Sequence, residues 1–458
     1  MLAEGGNAVD AAVAAAFASW IAESPLTGPG AGGFMLIHRA SDRSTRLLDF
    51  FVTVPGGGAD PAAMETIDVD FSGNTRTPYL IGPASVAVPG VPAGLARAWK
   101  RFGSKPWAEL IEPAIALAHD GVEVTGAQDY LHRLLNSILC FQPAGQALYS
   151  LGVGDRFRIP DLGNTLRTIA DDGVESFYTG ELARAITDTA PHISPEDLAG
   201  YRVIRRRPIT TPFQGYEFMS NPPPSSGGVL IAYGLRLLAN RGSFDAPAVV
   251  DAMREQATAR RDGSFLRSLY RGGLATRLMG PVDAPSNTTH ISVVDDQGNA
   301  VAMTCSTGAG SGVFVPGTGI HLNNMLGESD LAGMHKPGER LTSMMGPSIA
   351  FERGRPRLVV GSAGSARLRG AIMQIVVNVL ARQLTVKDAV ERPRIHWEDG
   401  VVHAEGGADL RGLENEEIVQ WPKLNLFFGG ANAVEIRPGG ELAAAGDPRR
   451  GGDGVVVP

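Results

Sequence analysis

Asn287-Thr288-Thr289-His290-Ile291-Ser292-Val293-Val294-Asp295-Asp296-Gln297-Gly298-Asn299-Ala300-Val301-Ala302-Met303-Thr304 is the stretch on which the reading of this chain turns. Over 289–295 the side chains alternate in the period-2 pattern of a strand. Asp296-Gln297-Gly298-Asn299 is a turn signal, and 300–304 returns as the partner strand of a hairpin. The character of the chain changes at Thr288, from a glycine- and arginine-bearing segment to short strands and loops.

Upstream, 254–277 carries six arginines together with Gly263, Gly272 and Gly273, which reads as a solvated helix face followed by a flexible linker. Asn221-Pro222-Pro223-Pro224-Ser225-Ser226-Gly227-Gly228 predicts a rigid loop opening a helix over 229–239. Residues 201–211 read as one strand, and Ile193-Ser194-Pro195-Glu196-Asp197-Leu198 as a capped turn. Two helices are expected over 91–102 and 107–120, the second bounded by Pro106 and Gly121. Strands at 34–38 and 46–52 form a hairpin. The loop before them, Gly28-Pro29-Gly30-Ala31-Gly32-Gly33, leads into a strand, whereas phosphate loops follow a strand and open a helix. Close backbone packing and positive φ angles are therefore the expectation there. Gly5-Gly6-Asn7 caps an alanine-rich helix over 8–22. A start inside a buried helix predicts further chain upstream. Downstream, 348–351 and 357–360 read as strands and 371–381 as an apolar helix.

Composition excludes several classes. Of 458 residues, 43% are hydrophobic and 19% charged, enough for a sizeable core and against disorder. No apolar run reaches the roughly 18 to 20 residues of a membrane span. A net charge of -7 disfavours nucleic acid. Two cysteines, Cys140 and Cys305, exclude a disulfide scaffold and a multi-cysteine zinc site. The first residues lack a basic n-region and an apolar h-region, so the chain as given carries no export signal and its compartment stays open.

Motif searches return no HExxH, no P-loop and no GxSxG elbow, and the nine histidines are scattered. Taken alone, two threonines before a histidine are an ordinary strand entry, since threonine favours strands. A threonine becomes an effective nucleophile when a base sits beside it, and a terminal amine on the same residue is such a base. That amine has to be exposed by cutting the chain. Its pKa of about 8 suits a base at neutral pH.

At this point the chain resembles the γ-glutamyltransferase family of N-terminal-nucleophile hydrolases. The resemblance runs from residue 5 to the end. It is carried by Gly5-Gly6-Asn7-Ala8-Val9-Asp10-Ala11-Ala12, Gly32-Gly33-Phe34-Met35-Leu36, Val88-Pro89-Gly90, Phe177-Tyr178-Thr179-Gly180, Pro223-Pro224-Ser225-Ser226-Gly227-Gly228 and Thr288-Thr289-His290. Gly317-Thr318-Gly319 and Leu322-Asn323-Asn324 add to it, and the order and spacing together are specific.

The resemblance implies an α+β fold, a four-layer αββα sandwich forming a single domain over 1–458. It implies autocatalytic cleavage before Thr288 into a large subunit, 1–287, and a small subunit, 288–458, that remain associated. Thr288 is then the nucleophile, Ser306 stands where the family has a supporting threonine, and the amides of Gly364 and Ser365 form the oxyanion hole. Ser365 occupies a place where the family has glycine, in Gly361-Ser362-Ala363-Gly364-Ser365. Glu328 is the group expected to hold a substrate ammonium. Thr342 and Ser343 match a Ser-Ser pair that binds a carboxylate. Typical members read Asp-Phe-Arg-Glu where this chain has Asp49-Phe50-Phe51-Val52, so Phe51 replaces the arginine that grips the glutamyl carboxylate. The asparagine the family carries shortly after Ser306 is not found in the shortened loop at 307–310.

The implied partners are a small γ-glutamyl or related amide, with an amino acid, a peptide or water as acceptor. No metal or organic cofactor is called for. Two other readings accompany this one: an amidase or acylase of the same fold with a more apolar acyl pocket, and an unprocessed, non-catalytic homologue.

Overall fold

The strands Gly32–Arg39, Ala300–Gly308 and Arg355–Ala363 are buried on both faces, which requires covering layers above and below. The computed structural model describes residues 1–458 except 59, 71–75, 262–286, 329–335 and 366. In chain order the strands of the two main sheets are β1 (Gly32–Arg39), β2 (Ser44–Phe50), β3 (Ile204–Arg206), β4 (Ile209–Phe213), β5 (Tyr216–Ser220), β6 (Asn287–Val294), β7 (Ala300–Gly308), β8 (Ser348–Glu352), β9 (Arg355–Ala363), β10 (Gly430–Ile436) and β11 (Leu442–Ala445). The first sheet has the order β6-β7-β1-β2-β3 and the second β11-β10-β9-β8-β5-β4, with antiparallel neighbours throughout.

The helices used below are α1 (Ala8–Ala22), α2 (Val91–Phe102), α3 (Trp107–Asp120), α4 (Gly227–Arg241), α5 (Ala246–Arg261) and α6 (Arg367–Val376). Alternation along β1 sends Met35 and Ile37 into a core shared with α1, α2 and α3, and Phe34 and Leu36 into a core between the sheets. Along β9, Val359 joins the inter-sheet core, whereas Leu358 and Val360 pack with α4, α5 and α6. Three apolar layers thus separate four structural ones, the αββα sandwich expected from the sequence.

Local chemistry fixes the ends of these elements. The Asn7 side chain accepts from the Val9 and Asp10 amides, and Asp10 returns the bond to the Asn7 amide at 2.9 Å. Asp10 is wholly buried, yet it also accepts from the Ser104 hydroxyl at 2.5 Å and the Ser104 amide at 2.9 Å. A carboxylate at a helix N-terminus with this many donors is well compensated. The small side chains of α1 allow close packing, with Phe17 edge-on to Trp20 at 4.7 Å and to Trp107 at 5.4 Å.

Several expectations are corrected. Residues 201–211 form two strands in different sheets, β3 and β4, because Pro208 has no amide to continue a ladder. The loop at 28–33 does pack closely: a Cβ on Gly30 would lie 2.3 Å from the His321 carbonyl oxygen, and one on Gly33 2.6 Å from that of Thr304. Its glycines are absent from the positive-φ residues, so close approach accounts for Gly30, Gly32 and Gly33, while a Cβ on Gly28 would meet nothing within 4 Å. The start of the arginine-bearing stretch is the end of α5, and the remainder of 254–277 lies outside the described residues. The helix expected over 371–381 begins earlier, as α6, and closes with a π-helical turn at Val377–Ala381. No helix among the described residues is long and apolar enough to cross a membrane.

Candidate active site

One irregularity interrupts the first sheet. Asn287 pairs with Gly308 and Thr289 with Cys305, so Ser306 and Thr307 together face Thr288. Bulges of this kind re-aim side chains and recur beside active sites. The connection after α1 clamps both strands around the bulge. The Thr289 hydroxyl donates to Glu23 Oε2 at 2.5 Å, and the Thr307 amide donates to the Leu26 carbonyl at 3.2 Å. Glu23 is held above the ordinary carboxylate range by burial, against the opposing pull of the Thr289 hydrogen bond and the Arg450 charge.

Thr289 points toward α1, and strand alternation turns Thr288 and His290 to the opposite face, toward the second sheet. His290 is sealed there. Its Nδ1 lies 2.8 Å from Thr304 Oγ1 and its Nε2 2.9 Å from Ser292 Oγ, and burial lowers its pKa to about 3. A neutral imidazole with both nitrogens engaged orders the strand and is unsuited to act as a base. Gly361 makes room for it, since a Cβ there would come within 2.2 Å of the ring.

Thr288 lines a pocket with Ser306, Glu328, Thr342, Ser343, Ser365 and Phe51. Thr288 and Ser306 are each 2% exposed and Glu328 is 4% exposed. The Ser306 hydroxyl oxygen accepts from the Gly308 amide at 2.9 Å. Gly308 has a φ of 71°, and a Cβ on it would meet Asn324 Oδ1 at 2.2 Å and Glu328 Oε1 at 2.8 Å, so this glycine lets Glu328 approach the bulge. The amide side chain that reaches the 307–310 loop belongs to Asn324, which accepts from the Ala309 amide at 2.8 Å and donates to the Leu80 carbonyl at 3.2 Å.

The proline-serine-glycine motif supports the Thr342–Ser343 side of the pocket. The Ser226 amide donates to the Ser343 carbonyl at 3.0 Å, and a Cβ on Gly227 would fall 1.9 Å from the Met344 carbonyl oxygen. Only a glycine permits that approach. The Ser343 hydroxyl oxygen accepts from the Met345 amide at 3.1 Å.

Gly364 and Ser365 form the turn between β9 and α6, with the Arg367 amide donating back to the Gly364 carbonyl at 3.0 Å. Gly364 has a φ of 119° and sits against Gly429, where a Cβ would meet the Gly429 Cα at 2.8 Å. Ser365 has a φ of 53°, a left-handed conformation uncommon for a residue with a side chain. Ser365 is in the pocket wall, whereas Gly364 precedes it in the chain and is outside the wall. The structure therefore brings six of the seven sequence-predicted site residues to one wall and puts the seventh beside them.

Sequence reasoning missed the rest of that wall. Met325, Met344, Met345 and Leu368 are all buried and line the pocket beside Phe51. Phe51 is 1% exposed and stacks on Phe34 with ring centroids 5.4 Å apart. The Met344-Met345 pair directly after Thr342-Ser343 was the available signal. Glu23 was missed too, because nothing near it in sequence points to Thr289.

Comparison with known proteins agrees with this architecture. A family model described as gamma-glutamyltranspeptidase matches residues 1–262 and 246–457. The chain is 32% identical to the acylase ACY 1 proenzyme of Pseudomonas sp. (strain V22), over 100% of this chain and 90% of that protein. It is 31% identical to the glutathione hydrolase proenzyme of Escherichia coli (strain K12), over 98% of this chain and 87% of that one. Among solved structures, cephalosporin acylase from Bacillus halodurans has the same fold, with a TM-score of 0.83 at 24% identity over 99% of this chain and 92% of its own. The chain is an enzyme of the gamma-glutamyltranspeptidase family, built on the N-terminal-nucleophile hydrolase sandwich.

Proposed function

We propose that this protein cleaves itself between Asn287 and Thr288 and then hydrolyses or transfers γ-glutamyl groups from glutathione-type amides through an acyl-threonine intermediate. In maturation the Thr288 hydroxyl attacks the Asn287 carbonyl, its proton passes to the Thr288 nitrogen, and the peptide C–N bond breaks to leave an ester. Water opens the ester, giving a carboxylate on Asn287 and an amine on Thr288. In turnover that amine takes the hydroxyl proton as the oxygen attacks the donor amide and gives it to the leaving amine. Water or an acceptor amine then releases the acyl group. The amides of Gly364 and Ser365 hold the developing oxyanion, and Ser306 supports the nucleophile. Glu328 takes the donor ammonium, and Thr342 and Ser343 its carboxylate. The two subunits, 1–287 and 288–458, stay together, because β6 and β7 pair with β1 inside one sheet. This chemistry uses no metal or organic cofactor.

The observation that carries the reading is the shared pocket of Thr288, Ser306, Glu328, Thr342, Ser343 and Ser365. Intact mass and a denaturing gel on the wild type and on Thr288→Ala test it. Two fragments that begin at residues 1 and 288, and a whole chain for the variant, are the expected result. An uncut wild type of native fold would favour the non-catalytic reading.

A second reading, an acylase for a non-glutamyl donor, is favoured by the wall of Phe51, Met325, Met344, Met345 and Leu368. Methionine adapts to varied apolar shapes, and a phenylalanine offers no fork for a carboxylate. The similarity to a glutathione hydrolase and to an acylase is nearly equal and does not separate the two. A panel of acyl anilides does: robust turnover of apolar acyl anilides beside negligible γ-glutamyl turnover would replace the first reading with the second.

A further inference from the structure

We propose that the arginine-lined cleft at the open edge of the sandwich, remote in composition from the Thr288 pocket, binds a multivalent oxyanion of the polyphosphate or polycarboxylate type. The fold makes this cleft. β3 is the last strand of the first sheet and β4 the last of the second, and Arg207-Pro208 crosses between them. A recess lies there, lined by the β1–β2 hairpin and by the edges of both sheets. Arg43, Arg46, Arg205, Arg206 and Arg207 surround it. Strand register explains the gathering: Leu47 pairs with Arg206 and Leu48 with Arg205, so the end of the β1–β2 hairpin lies alongside β3.

The charge is largely uncompensated. Arg206 is paired with the buried Asp49 at 2.7 Å, and Asp42, the nearer acid of the hairpin, is taken by Arg39. Among the described residues no carboxylate forms an ion pair with Arg43, Arg46, Arg205 or Arg207, and these four are exposed. Glu217 is the remaining acid on the wall. Four guanidinium groups therefore face one carboxylate, on a chain whose net charge is -7. A recess lined by one sign of charge concentrates its field. Guanidinium forks bind carboxylate and phosphate oxygens through two parallel bonds, which ammonium groups do not. A monovalent anion would leave most of that charge unmet, so an oxyanion with several charged groups fits best. Met219 and Pro208 add an apolar margin for an organic portion. The cleft is an open recess that gathers arginines from a hairpin and a strand edge, not a stripe along one element.

Calorimetric titration of the full chain with tripolyphosphate and with citrate, at low salt, is the test. Wild type is expected to bind at least one of them, and to weaken by about tenfold or more when salt is raised toward physiological strength. Arg205→Ala/Arg207→Ala should lose roughly tenfold or more in affinity, with unchanged thermal unfolding and unchanged turnover at the Thr288 pocket. Arg411→Ala, an exposed arginine elsewhere, should bind as wild type. Binding of both anions supports general oxyanion recognition, and binding of tripolyphosphate alone supports a phosphate ligand. If neither anion binds, or if the double variant binds like wild type, the proposal is overturned. Neither result bears on whether Thr288 is the nucleophile.

Discussion

The Thr289 hydroxyl donates to the Glu23 carboxylate at 2.5 Å, tying the strand that begins beside Thr288 to the residue that ends α1. The bond spans 266 residues of sequence and reaches the residue that follows Thr288. It restrains the bulge from the helix side, while the Leu26 carbonyl restrains Thr307 from the same segment.

Glu23→Ala should therefore slow maturation. Removing the acceptor leaves a buried hydroxyl unmatched, at a cost of about 1–3 kcal/mol. Glu23→Gln keeps an acceptor and should mature at close to the wild-type rate. Time courses of fragment appearance on a denaturing gel read both. Equal rates for the alanine variant and wild type would remove Glu23 from the process.

Phe51→Arg should shift donor preference toward γ-glutamyl anilide. The substitution restores a fork that can grip a carboxylate and takes an apolar ring from the wall. The ratio of kcat/KM for γ-glutamyl anilide to that for an apolar acyl anilide is expected to rise by about tenfold or more, the worth of one good charged hydrogen bond. Using a ratio cancels any loss of folded protein. An unchanged ratio would mean that position 51 does not read the acyl group.

Ser365→Ala should keep activity within a few-fold of wild type, because the proposed contribution of this residue is its backbone amide. Ser365→Gly relieves the left-handed strain and should be as stable as wild type or more stable by up to about 1 kcal/mol. Thermal unfolding and anilide turnover check the pair. A collapse of activity in the alanine variant would assign the hydroxyl a role of its own.

Stability should fall as pH is lowered from neutral. Burial lowers the pKa of His290 from 6.5 to about 3 and that of His321 from 6.5 to about 4. Both are neutral in the folded chain and take up protons on unfolding. Below pH 6.5 the unfolded state binds more protons, so stability is lost progressively as pH falls toward the folded values. With two such groups the slope approaches about 3 kcal/mol per pH unit. Denaturant midpoints between pH 7 and pH 5 measure it, and a flat profile over that range would contradict the burial of these rings.

A fully buried charge network at the C-terminal end is expected to be sensitive to loss of one member. Arg394 pairs with Asp447 at 2.6 Å, Arg449 with Asp447 at 3.1 Å, and Arg449 also pairs with Glu405. Asp447 in addition accepts from the Ala431 amide at 2.9 Å, holding β10 beside β9 and the Gly364 turn. Arg449→Met leaves two buried carboxylates short of a partner and should cost about 3–5 kcal/mol. Chemical denaturation reads the loss.

By itself the sequence determined the features that depend on neighbours along the chain. The Asn7 cap, the hairpin around Gly298, the break at Gly121 and the apolar run of β1 are set by backbone sterics and by side chains a few residues apart. The site residues had a weaker basis. Spacing alone left Thr288 an ordinary strand threonine, and its role, with those of Ser306, Glu328, Thr342, Ser343, Gly364 and Ser365, came from family resemblance. The tertiary structure decided which side chains share a wall. Phe51, Thr288, Ser306, Met325, Met344 and Leu368 meet because β1 joins β2 to β7 within one sheet and the second sheet stacks on it, and such pairing between distant segments leaves no periodic trace. The exchange of sheets at Arg207-Pro208 was half legible: Pro208 marks a break in the ladder, but the pairing of β3 with β2 joins segments far apart in sequence and only the tertiary structure assigns it.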